Sequence, residues 1–306
     1  MLKYLALLLP YKLLGWLPIP AAYFIADRAA TVAYYLRGRL RRNVQQNIRQ
    51  VMGPDADPRE VRAAAKRALR NVTRCYADLL LVPRLNVQRF FEKNLTVYGL
   101  EHLTDTVTSG KGVIAASAHY GNPELVVQAA GVLGIRALAI TEPLQPQALS
   151  DFVHRLRCSQ GQVFRPVSVS TMKEAVRWLR EGKKIVSVLC DRDIQHTGIM
   201  LPFCGAEARL PVGTAQLAMR TGAVVLPMFS RRIRGNHFEV YIEPPLEMTV
   251  TGDEANDVRV NTLKIISCIE KYLRLDPGQW LVLEPIWRER DGQGTQVDSP
   301  VESVKV

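Results

Sequence analysis

The residues best placed to do chemistry lie just after an apolar run of strand length. Gly112 to Ser117 reads GVIAAS and is followed by Ala118-His119-Tyr120-Gly121-Asn122-Pro123-Glu124. An imidazole at a strand end can accept a proton near neutral pH. Pro123 suits the first turn of a helix and sets Glu124 in that helix's positive end. A tight Gly-Asn turn would fold Glu124 back toward His119. The expectation is a His119 general base whose tautomer and imidazolium are held by the Glu124 carboxylate. A substrate hydroxyl would then be the nucleophile, with no activated serine or cysteine needed. The plainer alternative is a turn histidine that caps a helix ahead of an ordinary first-turn acid.

A second charged turn, Asp191-Arg192-Asp193, follows another apolar run, Ile185 to Cys190. Asp191 and Asp193 are expected to hold Arg192 between them, and a self-satisfied ion-paired turn is the competing reading. Metal binding is the weaker idea, because a hard cation wants more oxygen ligands than this spacing supplies. No metal site is expected. A G-x-S-x-G elbow, a Walker A loop and a G-x-G-x-x-G after a strand are all missing from the sequence, so a serine hydrolase and nucleotide cofactors lack support. His102, His154, His196 and His237 read as surface or packing histidines. The five scattered cysteines form no CxxC pair and read as reduced.

The elements that must position these turns are legible in outline. Residues 27–52 read as one helix ending at Gly53-Pro54, and Asp57-Pro58 starts a second that runs to about Leu81. Residues 87–94 read as a connector. Strand-like runs then recur at 95–98, 112–117, 135–140, 185–190, 223–229 and 237–242. Helical stretches at 124–133, 149–158, 172–181, 213–220 and 258–273 alternate with them. That alternation predicts an α/β fold with a mixed, largely parallel sheet flanked by helices. Three regions are expected: residues 1–90, helical and membrane-associated; residues 91–290, the α/β domain; and residues 291–306, a disordered polar tail.

Of 306 residues, 47% are hydrophobic and 23% charged, which excludes a disordered chain. The net charge of +11 calls for an anionic partner or surface. The first thirty-six residues are the most lipophilic part of the chain. Pro10, Lys12, Pro18 and Pro20 interrupt them too early for a spanning helix, and Lys12 also breaks the run of a signal peptide. Tyr4, Tyr11, Trp16 and Tyr23 suit the headgroup zone of a bilayer. Arg37, Arg39, Arg41 and Arg42 follow and suit an anionic cytoplasmic leaflet, although alone they read as a solvated helix face. The reading is an interfacial anchor. Nucleic acid is not expected, since basic and aromatic residues do not interleave on the strands.

Taken together, the two turns resemble the glycerolipid acyltransferase superfamily. The stretch HYGNPE is similar to its H-x4-D/E block. It is more similar still to that of the bacterial lipid A late acyltransferases and the mycobacterial phosphatidylinositol mannoside acyltransferases. Other blocks follow in the order of that family: Arg157-Cys158-Ser159-Gln160-Gly161, then VSVLCDRDIQHTGIMLPFCG at 186–205, then LPVGTAQLAMRTGAVVLPMFSRR at 210–232. Pro277-Gly278-Gln279-Trp280, with Trp287 and Arg288, resembles the family's closing P-x-Q-W element. The resemblance spans roughly residues 1–290. Two departures stand out. Pro123 replaces the usual tryptophan of the first block. The ending LVLEPIW stands where lipid A enzymes show a basic HRRW-like run, which leaves glycolipids other than lipid A open.

The resemblance implies a glycerolipid-acyltransferase-like fold and O-acyl transfer from an acyl thioester. The donor would be acyl carrier protein or coenzyme A, with no cofactor besides this donor substrate. The acceptor would be a hydroxyl of a membrane glycolipid or lysophospholipid, lipid A-like or phosphatidylinositol mannoside-like. His119 and Glu124 would be catalytic. Asn122, Arg157, Asp191, Arg192 and Asp193 would bind substrate or steady the oxyanion. The place of action would be the cytoplasmic face of the inner membrane, as a peripheral or monotopic protein. A catalytically inactive lipid-binding protein of the same fold is the alternative.

Overall fold

In the computed structural model, residues 17–287 are described. The anchor residues Lys3 to Trp16, Arg288 and the tail from Asp291 lie outside that range. The chain begins with α1 (Ile19–Leu36), α2 (Gly38–Met52), α3 (Pro58–Leu81) and α4 (Val87–Asn94). The helix expected over residues 27–52 is therefore two helices. Arg37, at φ −104° and ψ 81°, breaks it just before Gly38, a poor helix former. The expected connector at 87–94 is helix α4, started by Asn86, whose side chain accepts the Arg89 N–H. Asp57 caps α3 with Pro58 in its first turn, as the sequence indicates.

From Leu95 onward strands and helices alternate. They run β1 (Leu95–Tyr98), α5 (Leu100–Thr108), β2 (Val113–Ser117), α6 (Pro123–Ala129), β3 (Arg136–Thr141), α7 (Gln147–Arg157), β4 (Val163–Pro166), α8 (Val169–Glu181) and β5 (Lys184–Leu189). An antiparallel hairpin follows, β6 (Ile199–Phe203) and β7 (Ala206–Leu210). Then come α9 (Gly213–Thr221), β8 (Val224–Arg234), β9 (His237–Ile242) and α10 (Glu254–Leu275). Seven strands form one sheet in the order β1-β9-β8-β2-β5-β3-β4. Every neighbouring pair is parallel except β8 with β9. The α/β fold with a mixed, largely parallel sheet is thus as the alternation predicts. The sequence reading did not include α5, β4 or the β6–β7 hairpin. These are short, and the hairpin's alternating burial lacks a continuous apolar run.

Helices cover both sheet faces, which is why the central strands are apolar throughout. Ile114, Ala116, Val186 and Leu138 face one way, into a core with Ala175, Trp178 and Leu179 of α8 and Ile265 and Ile269 of α10. Val113, Ala115, Ile185 and Ala137 face the other way, toward Leu103 of α5 and Val126 of α6. Between that second face and α4–α6 lies an apolar cavity of about 770 Å³, its open mouth included. Helix α1 buries Ala22, Tyr23, Ala26, Ala30 and Tyr34 and exposes Phe24, Ile25, Val32, Tyr35 and Leu36 on its other side. No helix among the described residues is long and apolar enough to cross a membrane.

The N-terminal helices are tied to the sheet by a buried ion pair, Asp78 of α3 with Arg232 of β8. Tyr23 of α1 donates its hydroxyl to Asp78, and Asn122 donates its side-chain N–H to the same carboxylate at 2.7 Å. Arg232 also reaches the Tyr23 hydroxyl at 3.0 Å and the Gly235 carbonyl at 2.8 Å. Breaking such a pair strands a charge in a dry interior, which costs about 3–5 kcal/mol. Arg232→Met should therefore lower the urea unfolding free energy by about that amount. The double change Arg232→Met with Asp78→Asn should recover part of it. Equal stability of the single and double variants would show that the carboxylate was not the burden.

Candidate active site

Strands β2 and β5 are neighbours and parallel, with Ser117 opposite Leu189. Their carboxyl ends therefore emerge side by side. His119 lies two residues beyond Ser117 and Asp191 two beyond Leu189, so the two meet. The Cys190 N–H bonds to the Ser117 carbonyl at 2.8 Å and locks this register past the strands. The His119 Nδ1 lies 2.8 Å from Asp191 Oδ1, and the His119 backbone N–H donates to Asp191 Oδ2 at 3.0 Å. Trp280 donates its indole N–H to the same Oδ2 at 2.8 Å. Asp191 is completely buried, whereas the His119 side chain keeps about a quarter of its surface exposed.

This geometry fixes the imidazole's tautomer. A carboxylate only accepts hydrogen bonds, so Nδ1 carries a proton, and in the neutral ring Nε2 holds the lone pair. Among the described residues nothing bonds Nε2. Burial alone would push the Asp191 carboxyl up. The charge of His119 beside it, with hydrogen bonds from His119 and Trp280, outweighs burial and holds it below the ordinary carboxylate range.

The expected His119–Glu124 contact is not formed. Glu124 sits in the first turn of α6 and binds Arg157, with Arg157 Nε 3.0 Å from Oε2 and a second bond from Nη2 to Oε1. A guanidinium fork matches both carboxylate oxygens at once, which one imidazole N–H cannot do. Arg157 comes from the last turn of α7 and is mostly buried by this pairing. Asn122 is buried too. Its Oδ1 caps the Leu125 N–H at 3.1 Å while its amide donates to Asp78. Its side chain is thus occupied in shaping the turn.

The second charged turn also differs from expectation. Asp191 does not hold Arg192, because it serves His119. Asp193 accepts the Gly198 N–H at 2.7 Å and the Thr197 N–H at 3.3 Å, closing its own loop. Arg192 reaches instead to Glu142 at 3.2 Å and to Glu284 at 2.7 Å. Those acids lie in segments about 50 and 90 residues away, so no local reading could pair them.

The His119 turn is clamped from two further sides. The Leu281 N–H donates to the His119 carbonyl and the Gly121 N–H to the Gln279 carbonyl, at 2.8 and 2.9 Å. Gly121 has φ +66°, and a Cβ there would stand 1.7 Å from the Ser230 carbonyl oxygen, so only glycine fits. The Cys75 thiol of α3 donates to the Gly121 carbonyl at 3.1 Å. Trp280 packs edge-on against Phe203 of the hairpin, and Phe203 stacks on Trp287. Buried Asn47 of α2 holds the segment after Trp280 through the Val282 and Glu284 carbonyls. Sequence reasoning assigned Trp280 no part in the centre. The signal was an indole, a donor-only group, in a conspicuous P-x-Q-W element.

The sequence pattern of the bacterial lipid A biosynthesis acyltransferases matches residues 2–289 of this chain. The chain belongs to that family. A phosphatidylinositol mannoside acyltransferase of Mycobacterium tuberculosis (strain ATCC 25618 / H37Rv) is 27% identical over 290 residues, covering 89% of this chain and 86% of the relative. A protein of the same name from Mycolicibacterium smegmatis is 25% identical over 252 residues, 80% of this chain and 78% of the relative. A lipid A biosynthesis lauroyltransferase of Escherichia coli (strain K12) is 23% identical over 289 residues, 90% and 87% respectively. The relatives are acyltransferases by name. For this acyltransferase, then, the His119–Asp191–Trp280 constellation is the candidate centre.

Two outcomes test the assigned hydrogen bonds. In ¹⁵N spectra the His119 ring should carry its proton on Nδ1, and Asp191→Asn should move the population toward Nε2–H. The carboxylate's stabilising contribution is present above the ordinary carboxyl value near 3.9 and is lost as pH falls through the depressed folded value. The stability of the wild type should therefore fall relative to Asp191→Asn as pH drops below about 4. A gap between the two that stays constant across that acid range would contradict this assignment.

Proposed function

We propose that this acyltransferase moves a fatty acyl chain from an acyl thioester to a hydroxyl of a membrane glycolipid, with His119 as general base. The observation that carries this reading is the His119 ring itself. Its Nδ1 is tied to a buried carboxylate, and its Nε2 is left without a partner among the described residues. The acceptor hydroxyl gives its proton to Nε2 as its oxygen attacks the thioester carbonyl. The tetrahedral intermediate then collapses, the carbon–sulfur bond breaks, and the imidazolium returns the proton to the thiolate. Asp191 stabilises the imidazolium and keeps the tautomer. Trp280 keeps Asp191 ionised and in place. Glu124, paired with Arg157, serves as a brace between α6 and α7 at the edge of the turn.

The apolar cavity supports an acyl substrate. Its wall includes Ser117, two residues before His119, together with Pro123, Phe229 and Ser230 around the same turn. Nearly all the rest of its lining is hydrocarbon, the surface an acyl chain would meet. The donor is acyl carrier protein or coenzyme A, both carrying the chain on an anionic phosphopantetheine. The acceptor is a glycolipid of the phosphatidylinositol mannoside or lipid A kind. The mycobacterial names favour the former, and so does the LVLEPIW ending, whose Glu284 pairs with Arg192. The exposed apolar side of α1, carrying Phe24, Val32 and Leu36 ahead of the arginines at 37–42, supports docking on a membrane surface. The cytoplasmic face of the inner membrane fits an acyl thioester donor.

The test is acyl transfer by the purified protein from acyl-coenzyme A and acyl carrier protein to mannosylated and lipid A-type acceptors, followed by mass spectrometry. His119→Ala should abolish transfer. Asp191→Asn should lower kcat by about 10²–10⁴-fold, the usual worth of a general base, while leaving KM nearly unchanged. Glu124→Gln should cost less and should act through stability. If Glu124→Gln rather than Asp191→Asn removes the chemical step, the roles of the two acids are reversed. Ala130→Phe, in the cavity wall, should shift donor preference toward shorter chains. Unchanged chain-length preference would separate the cavity from the acyl group.

A further inference from the structure

On α2, Arg42, Gln45, Gln46 and Arg49 recur at i, i+3, i+4 and i+7 and share one helix face. That face meets the first turn of α3, where Pro58, Val61 and Arg62 complete the wall of a second cavity. Its volume is about 560 Å³, open mouth included. Three guanidiniums and no carboxylate line it. Among the described residues, none of the three makes a side-chain hydrogen bond or ion pair. Arg67, Arg74, Arg157 and Arg192 on other surfaces each have an acid partner.

Three like charges around one concavity repel one another until an anion enters. The start of α3, the positive end of a 24-residue helix, adds the same sign. Its capping acid, Asp57, is turned to the Arg59 N–H, and neither Asp57 nor Glu60 lines the cavity. Gln45 donates to the Tyr34 hydroxyl at 2.6 Å, so one wall abuts α1, whose far side exposes Phe24, Val32 and Leu36. None of the lining residues belongs to the His119 centre.

We propose that this cavity is a phosphate-binding site, taking the phosphate of an anionic lipid headgroup or of a soluble phosphate ester. Guanidinium forks match phosphate oxygens in pairs, and arginines on two helices can grip one phosphate from two sides. This site goes beyond the acyl-transfer reading and stands whether or not that reading holds.

The experiment compares the full chain with Arg42→Gln/Arg49→Gln/Arg62→Gln and with a matched triple on α8, Lys173→Gln/Arg177→Gln/Arg180→Gln. All six residues are exposed, so both triples should keep the wild-type melting temperature. Binding is measured to phosphatidylglycerol vesicles, to phosphate-free galactolipid vesicles made anionic with oleate, and to inorganic phosphate. The cavity triple should lose affinity for phosphatidylglycerol vesicles by on the order of 100-fold at low salt, the worth of three arginines at a surface. The α8 triple should lose much less, and oleate vesicles should bind the wild type more weakly than phosphatidylglycerol vesicles. Loss confined to inorganic phosphate, with vesicle binding kept, supports the site and identifies a soluble ester as its ligand. Equal losses in the two triples, equal binding of oleate and phosphatidylglycerol vesicles, or no loss toward either phosphate source would overturn it. Should the triple fail to fold, Arg49→Gln alone should lose about 5-fold against the same probes.

Discussion

A carboxylate sealed from water with one histidine beside it is the constraint around which this molecule is arranged. Asp191 is fully buried, and its bonds come from the His119 ring, the His119 backbone and the Trp280 indole. Desolvating a charge is expensive unless donors replace the lost water. Three donors do so, and each comes from a position that the fold must hold firmly. His119 needs β2 beside β5. Trp280 needs the segment after α10 to return beneath the sheet's carboxyl edge. That segment is held in turn by Asn47 of α2 and by the stacked Phe203 and Trp287.

A second buried charge pair serves a different end. Asp78 and Arg232 sit between the N-terminal helices and the sheet, and Asn122 of the His119 turn bonds to the same carboxylate. The turn is therefore held from three directions: by the strand before it, by the C-terminal segment through Gln279 and Leu281, and by α3 through Cys75 and Asp78. The helices up to Asn94 are part of the framework of the centre as well as the carrier of the apolar and basic surfaces. That shared framework couples α1, the proposed membrane-facing helix, to the residues that shape the turn. Tyr23 on its buried side donates to Asp78.

Charge is distributed in keeping with this division. Acids and bases near the centre are paired across distant segments, Glu124 with Arg157 and Arg192 with Glu142 and Glu284. The unpaired guanidiniums of the second cavity lie on α2 and α3. Electrostatic attraction of anionic ligands by that outer surface falls with salt, whereas the buried pairs are little screened. The buried pairs are neutral overall, so the net charge of +11 is carried by the remaining cations, among them the three guanidiniums around the second cavity.

The elements that repeat could be read from the residues alone. Apolar runs such as GVIAAS and IVSVLC can be little else than buried strands, because a fully covered parallel sheet asks for hydrocarbon on both faces. His119 and Asp191 were each legible as polar residues at the ends of such runs. Their pairing was settled by the packing of the chain, since strand order is set between residues more than seventy positions apart. Local spacing favoured Glu124 as the partner of His119. The fold instead brought Arg157 to Glu124, and a bidentate guanidinium is the better partner for that carboxylate. Trp280 could be read only as part of a motif, because a donor's role exists only once its acceptor is placed. The short strand β4 and the β6–β7 hairpin were hidden for a related reason. Their residues are chosen for what they pack against, and Phe203 gains its meaning from Trp280 and Trp287.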